Sequence, residues 1–290
     1  MKAYIDIVKK ILDNGFRKTN RTGVDALTIA GAMFEHDMAQ GFPLLTTKKV
    51  PFRLVASELE FFIKGITDKE WLREQKNTIW DEWCSPDVIP YSNDEKTKEM
   101  MKKERELGPI YGWQWRNFGA QYNAYNTTVQ GQGHGTDQLM MVVNTLKTDP
   151  DNRRMIVSAW NPKDLPRMAL PPCHYSFQIT VIDNKLNLLW NQRSVDVALG
   201  LPFNIASYGL LLHLLAKESR LSEGRLIGFL GDVHIYVNHI EAIHGQCKRS
   251  PMALPKIKTQ NFTSIFDWRY NDSIIEDYTP HPAIKFEIAV

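Results

Sequence analysis

Residues 171–196 read PPCHYSFQITVIDNKLNLLWNQRSVD, and their pattern decides the fold class. From residue 174 to 193 apolar and polar side chains alternate on either side of Asp183-Asn184. That is the period of half-buried strands joined by a tight turn. Pro171 and Pro172 fix the approach to Cys173, and the β-type run begins directly after it. A thiol at the start of a strand can be held rigidly with its sulfur facing a cleft. Taken alone, a cysteine is more often a small buried hydrophobe than a nucleophile. Cys84 and Cys247 have no comparable setting and keep that plainer reading.

Outward from this hairpin the chain mixes both kinds of element. Residues 3–14 read as a helix with Tyr4, Ile7, Val8 and Ile11 on one face and Gly15 as its stop. Residues 24–37 read as strand, 53–64 as helix ending at Gly65, 137–147 as helix and 155–160 as strand. The most apolar helix is expected at 204–220, followed by a strand at 226–236, a helix at 237–247, and strands and loops from Pro255. Two polar stretches interrupt the pattern. In residues 94–106, DEKTKEMMKKERE, ten charges cancel to zero, which suits a solvated helix. Residues 120–136 are polar and Gly-rich, which suits a surface loop. There is no internal repeat and no linker long enough to divide the chain. The expectation is one α+β domain over 1–290, with insertions near 84–106 and 120–136.

A formal net charge of +2 gives no electrostatic case for nucleic acid or a membrane surface. The N-terminus lacks the apolar core of a signal peptide. The longest apolar run, near Leu210–Ala216, is far short of a membrane span, which takes about 20 residues. Three widely spaced cysteines form neither a disulfide framework nor a metal-ligand pattern. The chain therefore reads as a soluble, cytoplasmic protein of a reducing compartment, with no metal, no membrane partner and no need for nucleic acid.

A reactive cysteine acts as its thiolate and needs positive charge nearby. The candidates are Arg153-Arg154, in DPDNRRMIV, and Arg193, in NQRSVD. Adjacent residues of a strand point to opposite faces, so one arginine of the pair can face inward or toward a partner chain. Arginine is also the usual fork for a phosphate dianion.

At this point the sequence resembles the thymidylate synthase family along nearly its whole length. The matching segments, in order, are NRTG (20–23), GFPLLTTKK (41–49), SELEFFIKG, TIWDEW (78–83), LGPIYGWQWR (107–116), NRRMIVSAWNP, MALPPCH, QRSVDVALGLPFNIASY (192–208), GDVHIYVNH (231–239) and the terminal HPAIKFEIAV. No single one would suffice, but ten in the correct order exclude chance. The resemblance implies an α+β fold whose large twisted mixed sheet, flanked by helices, packs against its twin in a homodimer. It implies reductive methylation of dUMP to dTMP, with 5,10-methylenetetrahydrofolate as donor of the one-carbon unit and the hydride.

The same resemblance assigns residues. Cys173 matches the nucleophile, which adds to carbon 6 of the pyrimidine and so activates carbon 5, covalent catalysis that divides one hard step into easier ones. Arg21, Arg193 and Ser194 match the phosphate ligands, with Gln192 beside them. Arg153 and Arg154 match the pair that reaches the phosphate of the neighbouring subunit. Asn204 matches the amide that reads the uracil edge, although its place before IASYGLL also suits a helix N-cap. His234 and Tyr236, alternating in a strand, match the ligands of the sugar 3′-hydroxyl. Glu58 lies on an apolar helix face and matches the carboxylate that organises proton transfer; burial would raise its pKa into a useful range. Tyr111 matches a tyrosine near the proton lost from carbon 5. For the folate, Asp196 matches the pterin ligand, and Trp80 and Trp83 match an aromatic wall. Ile79, Leu170, Gly200 and Phe203 line the same site, Lys48 matches a residue near the glutamate tail, and Ala289-Val290 match the closing C-terminus.

Some positions depart from the family pattern. Glu60 and Phe61 stand where Leu and Trp are usual, Trp113 where many members have Lys or Phe, and Asn191 where tyrosine is common. Ile66 and Asp68 alter a stretch that is usually DTN. These bear on the alternative product. Hydride on the exocyclic methylene gives a methyl group, whereas water gives a hydroxymethyl group, as in related pyrimidine hydroxymethylases. Trp80 favours hydride because a bulky ring excludes water. A tryptophan at the place of Trp113 also occurs in a dCMP hydroxymethylase. A non-catalytic nucleotide- or RNA-binding relative is the reading from another class, and the presence of Cys173, Glu58, Arg193, Asn204 and Asp196 argues against it.

Overall fold

The computed structural model describes residues 1–20, 22–126 and 135–287. In chain order its elements are α1 (Lys2–Asn14), β1 (Phe16–Lys18), β2 (Ala26–Asp37), α2 (Phe52–Ile63), α3 (Lys69–Glu74), α4 (Glu95–Lys103), α5 (Tyr111–Asn117), α6 (Gln138–Thr148), β3 (Ile156–Ser158), β4 (His174–Ile182), β5 (Lys185–Asp196), α7 (Gly200–Ser219), β6 (Ser222–Tyr236), α8 (Ile240–Cys247), β7 (Lys256–Thr259) and β8 (Ser273–Glu276). The chain forms a single α+β domain. Its main sheet has six strands in the order β1-β2-β6-β5-β4-β3, and β7 and β8 make a small separate ribbon.

The opening hairpin forms as its pattern requires. Asp183 and Asn184 both have positive φ, 50° and 56°, the conformation of a two-residue turn matched to strand twist. β4 and β5 pair antiparallel around it. β5 then pairs parallel with β6, and such a pair needs a crossover, which α7 supplies. Because α7 lies under the sheet and among other helices, it is buried nearly all round. That is why its sequence is apolar without a polar stripe. Each fully buried leucine in it contributes about 2 kcal/mol through the hydrophobic effect.

The inner face of the sheet carries a row formed by Phe34, Gly228, Trp190, Phe177 and Val157, one from each of five adjacent strands. Phe34, Trp190, Phe177 and Val157 are fully buried. Gly228 is required in that row. A Cβ there would sit 2.3 Å from the Trp190 ring, so only glycine lets the indole lie across β6.

The structure moves several expected boundaries. α7 starts at Gly200 rather than 204, because Pro202 is compatible with a first helical turn. Asn204 is therefore inside the helix, and the N-cap reading of it is wrong. The run 155–160 yields only three residues of strand. Within 84–106 the solvated helix is α4, capped by the Asp94 carboxylate, which accepts from Thr97 N at 2.9 Å. Of the loop expected at 120–136, residues 127–134 lie outside the described part. No helix among the described residues is long and apolar enough to cross a membrane.

Candidate active site

The C-terminal ends of parallel strands and the start of the crossover helix between them form a natural crevice for ligands. β5 ends at Asp196, β6 ends at Tyr236, and α7 begins at Gly200. Gln192, Ser194 and Asp196 on β5 are paired with Leu230, Asp232 and His234 on β6, so alternate residues share one face at that end.

Cys173 enters the same end from β4. His174 pairs with Gln192 and Ser176 with Asn191, so Tyr175 is an extra residue, a bulge that re-aims the strand next to Cys173. The chain around Cys173 is held from three sides. Its backbone N–H donates to the Tyr111 hydroxyl at 2.7 Å, its carbonyl accepts from Arg193 N at 2.8 Å, and the Arg193 guanidinium donates to the carbonyls of Pro172 and Pro171 at 3.0 and 2.8 Å. The Arg193 guanidinium also packs 5.4 Å from the Trp160 ring centre. None of the three cysteines forms a disulfide.

Behind Cys173 lies an aromatic stack. Tyr111 stacks on both Phe62 (4.9 Å) and His174 (4.4 Å), and the Trp80 ring meets Tyr111 edge-on at 6.0 Å. Gly112 permits this, since a Cβ there would meet the Phe62 carbonyl at 2.6 Å. Burial pushes the Tyr111 hydroxyl well above its usual pKa, and a charge on Cys173 would add to that. His174, adjacent to the cysteine in sequence, is not its base. Its Nδ1 is 2.9 Å from the Tyr208 hydroxyl, and burial lowers its pKa to about 3, so the ring is neutral.

Glu58 projects from α2 into this cluster, and the Trp80 indole N–H donates to its Oε1 at 2.8 Å. Burial raises its pKa to about 7, partly opposed by that hydrogen bond. Trp80 is only 6 % exposed and meets Trp83 edge-on at 6.2 Å. The Trp83 Nε1 is buried and has no partner among the described residues.

On the other wall Gln192 donates to the Asn204 Oδ1 at 3.0 Å and to the Ser194 carbonyl at 3.1 Å, and accepts from the Trp190 indole at 3.1 Å. This chain fixes the orientation of the Asn204 amide. A Cβ on Gly200 would lie 3.8 Å from Asn204 Oδ1 and 3.9 Å from Asp196 Cβ, so all three face one space. Asp196 Oδ1 accepts from Ala198 N and Leu199 N at 2.9 and 3.1 Å and places a negative charge at the N-terminus of α7. The Lys48 ammonium, 5 % exposed as a residue, donates to the Ala198 carbonyl and lies 4.6 Å from the Phe286 ring. Burial lowers its pKa to about 8, against the attraction of Asp196. His234 contacts Tyr236 edge-on at 5.3 Å, and its Nδ1 is 3.0 Å from Asp232.

Not every expected residue joins this set. Arg153 and Arg154 lie in the turn before β3, both exposed, with no ion pair to a described carboxylate. They are not on opposite faces of a strand, because the strand starts two residues later. Arg21 and Ala289 lie outside the described residues. Ile79, Leu170 and Phe203 are half-buried hydrophobics on the core. The departures from the family pattern point elsewhere. Glu60 faces Lys64, Arg269 and the backbone N–H of Tyr270. Trp113 packs in a small separate cluster with Ala120 and Tyr122. The Asn191 side chain bonds to Ser176 at 3.2 Å, and Asp68 takes the Arg105 fork. Phe62, His174 and Tyr208 also belong to the site; in the sequence, only a place one helical turn after Glu58 marks Phe62 and adjacency to Cys173 marks His174.

These features place a thiol at the mouth of a crevice in a mixed α+β sheet. Comparison with known families narrows this. A family model described as Thymidylate synthase matches residues 2–290, and the chain belongs to the thymidylate synthase family. That family uses methylenetetrahydrofolate as co-substrate.

Proposed function

We propose that the chain is a thymidylate synthase that converts dUMP to dTMP. The observation that carries this reading is one aromatic-walled cluster: Trp80 donates to Glu58 and packs edge-on against Tyr111, whose hydroxyl accepts from the Cys173 N–H. In it, the Cys173 thiolate adds to carbon 6, forming the C–S bond and moving the displaced electron pair to the carbonyl oxygen at carbon 4. Gln192 holds Asn204 so that its amide faces the N3–H and carbonyl edge of uracil, which cytosine cannot match. Glu58, with a pKa near neutrality, moves a proton at the carbon-4 oxygen through water, and Tyr111 stands near the proton lost from carbon 5. Arg21, Arg193 and Ser194 bind the phosphate; Arg193 has more donors than its two carbonyls use. His234 and Tyr236 bind the sugar hydroxyl.

The pterin fits this site. Trp80 and Trp83 give an apolar wall, the buried Trp83 N–H has a donor to offer, and Asp196 supplies an acceptor beside Gly200; Ile79, Leu170 and Phe203, half-buried hydrophobics, would extend that wall. Lys48 stands near the glutamate tail, and Ala289 belongs to the C-terminus that closes over the bound ligands. The folate supplies the one-carbon unit and the hydride when bound. Trp80 keeps water from the reacting carbon, and Trp113, facing its separate cluster, opens no path for it. That supports methyl over hydroxymethyl. The test is to mix protein, dUMP and methylenetetrahydrofolate and follow dihydrofolate. Its appearance in step with dUMP loss is expected. Consumption of the base without dihydrofolate would make the chain a dUMP hydroxymethylase.

The outer face of the sheet supports a homodimer reading. Met33 pairs with Phe229 across β2 and β6, 58 % and 44 % exposed, and Ile156 is exposed on β3. Apolar side chains on a broad sheet face suit a second copy of the same face. Arg153 and Arg154 would then reach the partner's phosphate. Phe229→Asp should sediment as a monomer. The KM for dUMP should rise at least tenfold, since each charged hydrogen bond lost costs about 1.5–3 kcal/mol. Full activity in a monomeric variant would remove the cross-subunit role.

A further inference from the structure

α3 presents Lys69 and Arg73 one helical turn apart, and both reach the turn that carries the two tryptophans. Lys69 is fully buried. Its ammonium donates to the carbonyls of Asp81 (3.1 Å), Trp83 (2.8 Å) and Met101 (2.7 Å). An ammonium has three protons, and three carbonyls take them. The Arg73 Nε donates to the Asp81 carboxylate at 2.9 Å, while another of its nitrogens donates to the Lys102 carbonyl. Met101 and Lys102 belong to the last turn of α4, whose carbonyls have no partner within the helix. Lys102 itself pairs with Glu82 at 3.6 Å. The segment is also tied at both ends. Ser85 N donates to the Glu106 carbonyl at 2.8 Å, and Lys69 N to the Arg105 carbonyl at 3.0 Å.

A lysine ammonium is costly to bury, and a methionine of similar length would fill the space more cheaply. What the cation adds is one point that grips two elements at once. It fixes the carbonyls on either side of Glu82, and so the course of residues 78–83. Trp80 in that turn reaches Glu58, and Trp83 forms the neighbouring wall.

We infer that Lys69, with Arg73, is a positioning residue for the folate wall, and that the charged segment 84–106 serves as the brace through which it acts. The inference rests on the proposed reading of Trp80 and Trp83 as that wall. Lys69 touches no reacting atom. It acts by holding the Trp80–Trp83 turn against α4, so that the indole of Trp80 meets Glu58 and the ring of Trp83 stays in place.

The test is Lys69→Met, measured beside the wild type. The expected result is a KM for methylenetetrahydrofolate raised about tenfold, equivalent to ~1.4 kcal/mol, with the KM for dUMP within about twofold. The pH limb near 7 that Glu58 governs should also move upward, because the Trp80 hydrogen bond that opposes the effect of burial is weakened. A pin that served stability alone would lower Tm and leave both the KM split and the pH limb unchanged, and that result overturns the inference. Should Lys69→Met fail to fold, Arg73→Gln removes the second pair of contacts and leaves Lys69. An unchanged folate KM in a folded Arg73→Gln enzyme then overturns it. Tetrahydrofolate binding to the dUMP-loaded proteins, read by calorimetry, gives the same comparison without turnover. A wild type that binds folate but makes no dihydrofolate defeats the synthase reading alone. Equal folate affinity in wild type and variant defeats this one.

Discussion

Cys173→Ser is expected to lower dihydrofolate formation by about 10⁴–10⁶-fold, the scale seen when a covalent nucleophile is removed. A serine hydroxyl is nearly isosteric with the thiol but is not ionised near neutral pH, so no anion is available to add to carbon 6. The surrounding frame survives the change. Tyr111 and Arg193 hold the backbone of residue 173. Gln192 still orients Asn204, so dUMP should bind with an affinity within a fewfold of the wild type. Two measurements check this. Dihydrofolate absorbance reports turnover, and exchange of the carbon-5 hydrogen of dUMP with solvent reports the addition step itself. Loss of both with binding intact is the expected pattern. Undiminished turnover would remove the nucleophile assignment and every step derived from it.

What the sequence made legible follows from range. The β4–β5 hairpin could be read because alternation and a two-residue turn are local signals, and both positive-φ residues are of types that tolerate them. The α7 start was misplaced because Asn204 imitates a cap, whereas the true first turn contains a proline, usually read as a breaker. α5, YGWQWRN, was not foreseen because its short aromatic run has no helical preference; packing of Gly112 on Phe62 and of Trp115 on Phe177 decides it. For the site, residue types and family resemblance named the polar groups. Neither could show that Trp80 hands its N–H to Glu58, that His174 is neutral, or that Glu60 and Trp113 turn away. Those facts depend on contacts between residues far apart in the chain. Lys69 was invisible for the same reason, since its three carbonyl partners come from two other segments.

Glu58→Gln should separate catalysis from stability, and in opposite directions. The glutamine keeps a carbonyl oxygen that can accept from the Trp80 indole, now 2.8 Å from the carboxylate, but it cannot give or take a proton. The loss expected for a positioned acid–base group is about 10²–10⁴-fold in kcat, with the KM for dUMP little changed. The stability effect follows from the raised pKa. Burial raises the pKa of folded Glu58 to about 7, above the 4.5 of an ordinary glutamate in the unfolded chain. Between those values the folded state binds more protons than the unfolded one. Stability therefore falls as pH rises through this window, because an ionised carboxylate must be held among aromatic rings. Below about pH 4.5 the carboxyl is neutral in both states and the difference vanishes. Glutamine is neutral throughout. The variant should thus gain on the wild type with rising pH, by about 2 kcal/mol between pH 5 and pH 8. Urea unfolding at those two pH values reads the difference directly. A stability gap independent of pH would mean that Glu58 is ionised in the folded protein across the range, and its role would then be to hold Trp80 rather than to move a proton.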